Sequence, residues 1–195
     1  MIAGVIESVS HPLVRYLPAQ PISREAFAPF GWLIDTGPTE ASITSGHAIN
    51  DGSSQRIDGQ SELDLTADSG KPCLALFKAT ARNPAGPWHE LERHRLGTQT
   101  FIPLDGARYL VMVALGGEAP DPQTLAVFAV SGHQAITLRA GVWHHGLLAL
   151  QDSSFVVIER SAQHVDCDLA QLDEPVNITL PQGFMQLAPQ SAAPV

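Results

Sequence analysis

Short apolar runs alternating with turn formers dominate the chain from Pro72 onward. Runs rich in β-branched, aromatic and aliphatic residues occupy 73–79, 90–94, 99–103, 109–115, 125–130, 134–138, 146–150 and 155–159. Between them stand Arg95-Leu96-Gly97, Asp105-Gly106, Gly116-Gly117, Ser131-Gly132 and Gln151-Asp152. Many short strands at near-regular spacing, with no helix-period segment among them, predict an all-β antiparallel sandwich or barrel. Upstream, Ser23 is placed to cap a short helix over 24–28, closed by Pro29 and Gly31, and a strand follows at 32–34. Residues 36–70 are rich in Gly, Ser, Asp and Thr and read as a long loop with a short strand at 47–50. Residues 1–21 read as an extended arm, 22–168 as one domain and 169–195 as an extended tail carrying Pro175, Pro181, Pro189 and Pro194.

Composition narrows the partners. The 195 residues carry a net charge of −9, from 11 basic and 20 acidic side chains. No basic stripe is visible, so nucleic acid is not expected. An anionic ligand would have to be met by a few local cations against the overall field. No run approaches the roughly 18 apolar residues of a membrane span, and no basic-then-apolar leader precedes Ser23, so the expected compartment is the cytoplasm. Cys73 and Cys167 are far apart, in no CxxC pair, and read as free thiols.

Two clusters could carry chemistry. The first, 89–106, reads HELERHRLGTQTFIPLDG; the second, 141–145, reads GVWHH. Strand alternation puts Glu90, Glu92 and His94 on one face and His89, Leu91 and Arg93 on the other. The turn at 95–98 then starts a return strand at Gln99, expected opposite His94. Either cluster alone reads as solvated or structural residues. Together, at two strand junctions of an all-β chain, they fit the mouth of a barrel. The spacing resembles the two cupin motifs, with Glu92, His94, Gln99 and His144 where those motifs place metal ligands and Arg139 where the second has proline.

The strings HELERHRLGTQTFIPL, ALGGEAPDPQTLAVF, AGVWHH and VVIER, with AINDGSSQR at 48–56, make the chain similar to the ureidoglycolate lyase family over roughly 21–168. It departs at Ile57-Asp58, where that family tends to carry an aromatic. The resemblance implies a cupin-like, jelly-roll type β-barrel, a homodimer, and cleavage of (S)-ureidoglycolate to glyoxylate and urea in allantoin degradation. Such a substrate is a carbinolamide, needing a base for its hydroxyl, an acid for the departing urea nitrogen and a cation for its carboxylate. His94 and His144 are then the acid–base pair, with Glu92 orienting one or acting as base. Gln99 would bind the ureido group, Arg56 the carboxylate, and Phe101 and Trp143 would wall the pocket. The resemblance also implies a divalent ion, Ni²⁺, on Glu92, His94, Gln99 and His144, although carbinolamides break down by acid–base steps without metal. The alternative is a non-enzymatic, small-acid-binding or regulatory cupin.

Overall fold

A computed structural model describes residues 14–35 and 46–185. In chain order its strands are β1 (Arg15–Pro18), β2 (Gln20–Pro21), β3 (Gly31–Asp35), β4 (His47–Ile49), β5 (Ser54–Arg56), β6 (Lys71–Ala79), β7 (Trp88–Arg93) and β8 (Gln99–Pro103). They continue as β9 (Tyr109–Ala114), β10 (Ala126–Val130), β11 (Gln134–Leu138), β12 (Trp143–His144), β13 (Leu148–Ala149), β14 (Ser153–Ser161) and β15 (Asp168–Thr179). The single α-helix among the described residues, α1 (Arg24–Phe27), starts where Ser23 Oγ accepts from the Ala26 N–H at 3.2 Å. That contact satisfies one of the orphan donors of its first turn.

The strands form two sheets and a detached hairpin of β4 and β5. One sheet runs β1-β15-β7-β12-β9-β10-β2, with β13 also on β9; the other runs β3-β11-β8-β14-β6. An apolar core fills the space between the sheets. Val111, Val113 and Phe128 from the first meet Phe101, Ile136, Phe155 and Val157 from the second. Strand alternation sends Leu110, Met112 and Ala114 to the opposite face of β9, where they join Leu91, Trp143 and Val176 in a second core. The fold is therefore all-β, two sheets closing on an apolar core as a nearly closed barrel, as the spacing of its runs predicted.

Two expectations are corrected. Residues 95–98 are a corner between sheets, not a hairpin: β8 pairs with β11 and β14, whereas β7 pairs with β12 and β15. Gln99 is therefore not a cross-strand neighbour of His94. The corner is tight, since a Cβ on Gly97 would lie 2.7 Å from that of Arg160. The arm and the tail also enter the barrel. β1 pairs with β15 and β2 pairs with β10, so one short segment joins both edges of the first sheet. The tail's β15 keeps pairing past Pro175 because the register shifts between Gln171 and Val176, where a residue without an N–H is tolerated.

Candidate functional site

At one end of the barrel the inward-facing positions turn from apolar to polar. On β14 the inward series Phe155, Val157 is continued by Glu159; on β8 the inward Phe101 is preceded by Gln99. The register pairs Ile158 with Thr100 and Val157 with Phe101, so Glu159 and Gln99 are the next cross-strand neighbours. In the first sheet His144 lies opposite Glu92, and His94 follows two residues after Glu92 on the same face.

These residues converge. One ligand atom each from Glu92, His94 and His144 lies within 4.8 Å of the others, and the two imidazole centroids are 5.3 Å apart. Each ring is fixed from behind. His94 Nδ1 lies 2.5 Å from the Asp166 carbonyl oxygen and His144 Nδ1 lies 3.0 Å from that of Val142. A carbonyl only accepts, so Nδ1 carries a proton in both rings and Nε2 is turned forward as the nitrogen at which a proton is gained or lost. Both Nε2 atoms are buried and hydrogen-bonded to nothing among the described residues.

Glu92 Oε1 stands 3.5 Å from His144 Nε2, an ion-pair distance that is long for a hydrogen bond. With Nδ1 of His144 already donating to Val142, two acceptors face each other unless a proton or a cation lies between them. The contact with His144, then the charges of His144 and His94, hold the Glu92 carboxyl below the usual carboxylate range against the opposing effect of burial. Cys167 adds a weak contact, Sγ to Glu92 Oε2 at 3.8 Å, and burial followed by the Glu92 charge pushes its thiol up.

Gln99 lies beside this group, bordering one cavity with Glu92 and another with His94. Its Nε2 donates to Glu159 Oε2 at 2.8 Å, and its buried Oε1 has no partner among the described residues. Two small cavities flank this centre. One, about 290 Å³, is bordered by Glu92, Gln99, Phe101, Phe77 and Lys78; the other, about 250 Å³, by His94, Gln99, Glu159 and Arg160.

Not every expected site residue is here. Phe101 borders the first cavity, but Trp143 does not. It is next to the inward His144 on a strand, so it faces the second core, where its indole N–H donates to Gly117 and the Arg93 guanidinium lies 4.2 Å from its ring centre. Arg56 is on the detached hairpin, exposed and paired with Asp58 at 2.7 Å, and borders neither cavity. Arg93 faces away from Glu92, as alternation predicts, and pairs with Asp168 at 2.6 Å. Glu90 is exposed, bonded to Gln171. His145 braces the sheet edge-on against Trp88, its ring centre 4.9 Å away, and burial holds its pKa below the ordinary value.

Sequence reasoning passed over Glu159, Asp166 and Lys78. The signal for Glu159 was the inward alternation of Phe155 and Val157. The Asp166 contact is made by its backbone and leaves no trace in residue type.

A family model described as ureidoglycolate lyase matches residues 14–179. Curated ureidoglycolate lyases are similar over most of the chain. That of Azotobacter vinelandii is 38% identical, covering 80% of this chain and 91% of that protein. That of Stutzerimonas stutzeri is 36% identical, covering 80% and 89%. That of Pseudomonas syringae pv. tomato is 33% identical, covering 86% and 96%. Among solved structures, RmlC from Streptococcus suis, in complex with dTDP-D-xylose, aligns at a TM-score of 0.35 with 16% identity, over 70% of this chain and 73% of that one.

Proposed function

The chain belongs to the ureidoglycolate lyase family, and from that premise we propose that it cleaves (S)-ureidoglycolate into glyoxylate and urea. The observation that carries this reading is the convergence of His94 and His144 on the Glu92 carboxylate, with Nε2 of both rings buried and without a hydrogen bond among the described residues. A buried polar atom left without a hydrogen bond costs on the order of 1–3 kcal/mol, so two such nitrogens at one point are held ready for a ligand.

The chemistry follows from the donor set. The substrate carbon bears a hydroxyl, a carboxylate, a hydrogen and the urea nitrogen. His144 takes the hydroxyl proton at Nε2, beside the Glu92 carboxylate. The oxygen's electrons form the aldehyde C=O as the C–N bond breaks, and His94, entering the step protonated at both ring nitrogens, delivers its Nε2 proton to the departing nitrogen. No water is consumed. The backbone carbonyls behind each Nδ1 keep both rings in the tautomer that exchanges protons at Nε2. Phe101 and Phe77 limit water on the side of Glu92.

The same atoms fit a divalent ion. Two imidazoles with their Nδ1–H bonded to carbonyls and a carboxylate make a mixed N/O set suited to Ni²⁺ or Zn²⁺. When bound, such an ion would serve as a Lewis acid for the substrate's oxygens. We take Ni²⁺ as stimulating and not obligatory, because the acid–base groups are complete without it. The proposal extends to a cytoplasmic setting and a homodimer. Acidic composition and the absence, among described residues, of a helix able to cross a membrane are compatible with the first. The exposed Leu74 and Leu76 on edge strand β6 support the second.

The test measures glyoxylate and urea released together from (S)-ureidoglycolate. His94→Ala and His144→Ala should each lower kcat roughly 10²–10⁴-fold, the usual share of a general acid or base. Exhaustive chelation should slow turnover by less than either substitution. Glyoxylate binding without any turnover would instead mark a small-acid-binding protein.

A further inference from the structure

We infer that Glu159 is a positioning residue: it pins the Gln99 amide so that Oε1 is presented to an N–H of the substrate's ureido group. The inference rests on the lyase reading and assigns recognition of the urea half of the substrate.

The argument begins with which atom faces which. Gln99 carries a donor end and an acceptor end of nearly identical shape, so on its own it can offer either. An ionised carboxylate only accepts. Facing Glu159 Oε2 at 2.8 Å, the amide must turn its NH₂ that way, which leaves Oε1 on the other side of the group. That Oε1 is buried and lacks a hydrogen bond among the described residues.

The backbone makes the pairing rigid. Gln99 and Glu159 are cross-strand neighbours on the inner face of β8 and β14, in register with Phe101 and Val157 beneath them. Gln99 borders both cavities of the site, one shared with Glu92 and the other with His94 and Glu159.

The ligand chemistry is complementary. A ureido group offers N–H donors at the amide nitrogen and at the terminal NH₂, and both remain donors in urea itself. Glyoxylate has no N–H. A locked acceptor discriminates between the two, because presenting an amide N–H to the site instead would leave donor against donor. Glu159 needs no contact with the substrate for this.

The probes are ureidoacetate, which keeps the ureido group and carboxylate but lacks the hydroxyl needed for cleavage, and glyoxylate. Their dissociation constants are measured by calorimetry on the wild type, Glu159→Gln and Gln99→Leu, with Glu159→Asp as a shorter acid. Glu159→Gln keeps the shape but lets the facing amides flip. It should weaken ureidoacetate about tenfold relative to glyoxylate, the size expected for one hydrogen bond of about 1.4 kcal/mol. Gln99→Leu should produce the same selective loss. In the wild type the Gln99 side-chain NH₂ resonances should be sharp and protected, and Glu159→Gln should shift them. Equal losses for both ligands, or none, overturn the inference. So does a fall in Ni²⁺ affinity of Glu159→Gln with the ligand ratio unchanged, which would make Oε1 a metal ligand. If Glu159→Gln fails to fold, Gln99→Leu and Glu159→Asp carry the same comparison. A wild type that binds ureidoacetate selectively yet releases no urea from (S)-ureidoglycolate sinks the lyase reading and leaves the positioning role standing.

Discussion

Which cation meets the substrate's carboxylate is decided by where eleven side chains lie. Arg56, the sequence's choice, is exposed on the β4–β5 hairpin and engaged with Asp58. Arg160 borders the cavity of His94, but its Nε and Nη2 donate to the carbonyls of Ala67 and Asp68. Lys78 borders the cavity that holds Glu92, Gln99 and Phe101. Phe77 points inward, so the Lys78 Cβ leaves the outer side of edge strand β6, and its flexible stem allows the ammonium to reach over the rim. Lys78→Ala should raise KM about tenfold with a smaller change in kcat, the pattern of lost ground-state binding. Arg56→Ala should leave KM within about a factor of two; a larger rise there, with Lys78→Ala silent, returns the role to Arg56. The placement of Glu92, His94 and His144 was legible because strand parity and two cupin-like spacings name inward positions. Trp143 was misplaced although parity could have placed it: adjacent residues on a strand cannot both face the cavity. The reach of Arg56 depends on a loop path that no periodicity encodes.

Strands with alternating or continuous apolar runs were readable to within two residues, and β8 and β11 to the residue. β15 was not, and its composition explains why. Asp168–Thr179 contains Asp168, Asp173, Glu174 and Pro175, so it carries the signature of a solvated tail. Its start is held to β7 by the strand ladder and, beside it, by charge. Asp168 Oδ2 takes Arg93 at 2.6 Å and also Arg95, which reaches on to Glu118. Arg95 first and Arg93 second hold the Asp168 carboxyl below the usual aspartate range. A carboxylate whose folded pKa is depressed stabilises above its unfolded value, about 3.9, and loses that contribution as pH falls through the folded value. Asp168→Asn should therefore lower Tm by a constant amount between about pH 5 and 7, and the gap to wild type should narrow below about pH 4. A gap that already narrows between pH 7 and 6 would assign the linkage to a histidine. Asp168 is partly exposed, so salt should also narrow the gap.

At the scale of the whole molecule, the barrel depends on a segment that composition alone assigns to an arm. β1 adds to the β15 edge and β2 adds to the β10 edge, and the two are separated only by Ala19, whose N–H donates to Thr179. The Ile22 N–H donates to Ala129 just beyond. Seven residues thus join both ends of the first sheet, and Leu17 and Ala19 pack on the second core. This matters for the site because β7 and β12, which hold Glu92 and His144, lie in the middle of that sheet. A chain starting at Ile22 should be less stable than one starting at Val14 by on the order of 3 kcal/mol, from a few lost strand hydrogen bonds and the apolar area uncovered. For a protein of this size that corresponds to a fall in Tm of roughly 10 °C. The freed β10 and β15 edges are also templates for intermolecular pairing, so the shorter chain should aggregate at lower concentration. Hydrogen exchange would localise the effect: amides of β15 and β10 should lose protection first, while β8, β11 and β14 in the other sheet keep theirs. Equal melting temperatures with unchanged protection in β15 and β10 would mean that the first sheet holds its shape without the segment that joins its edges.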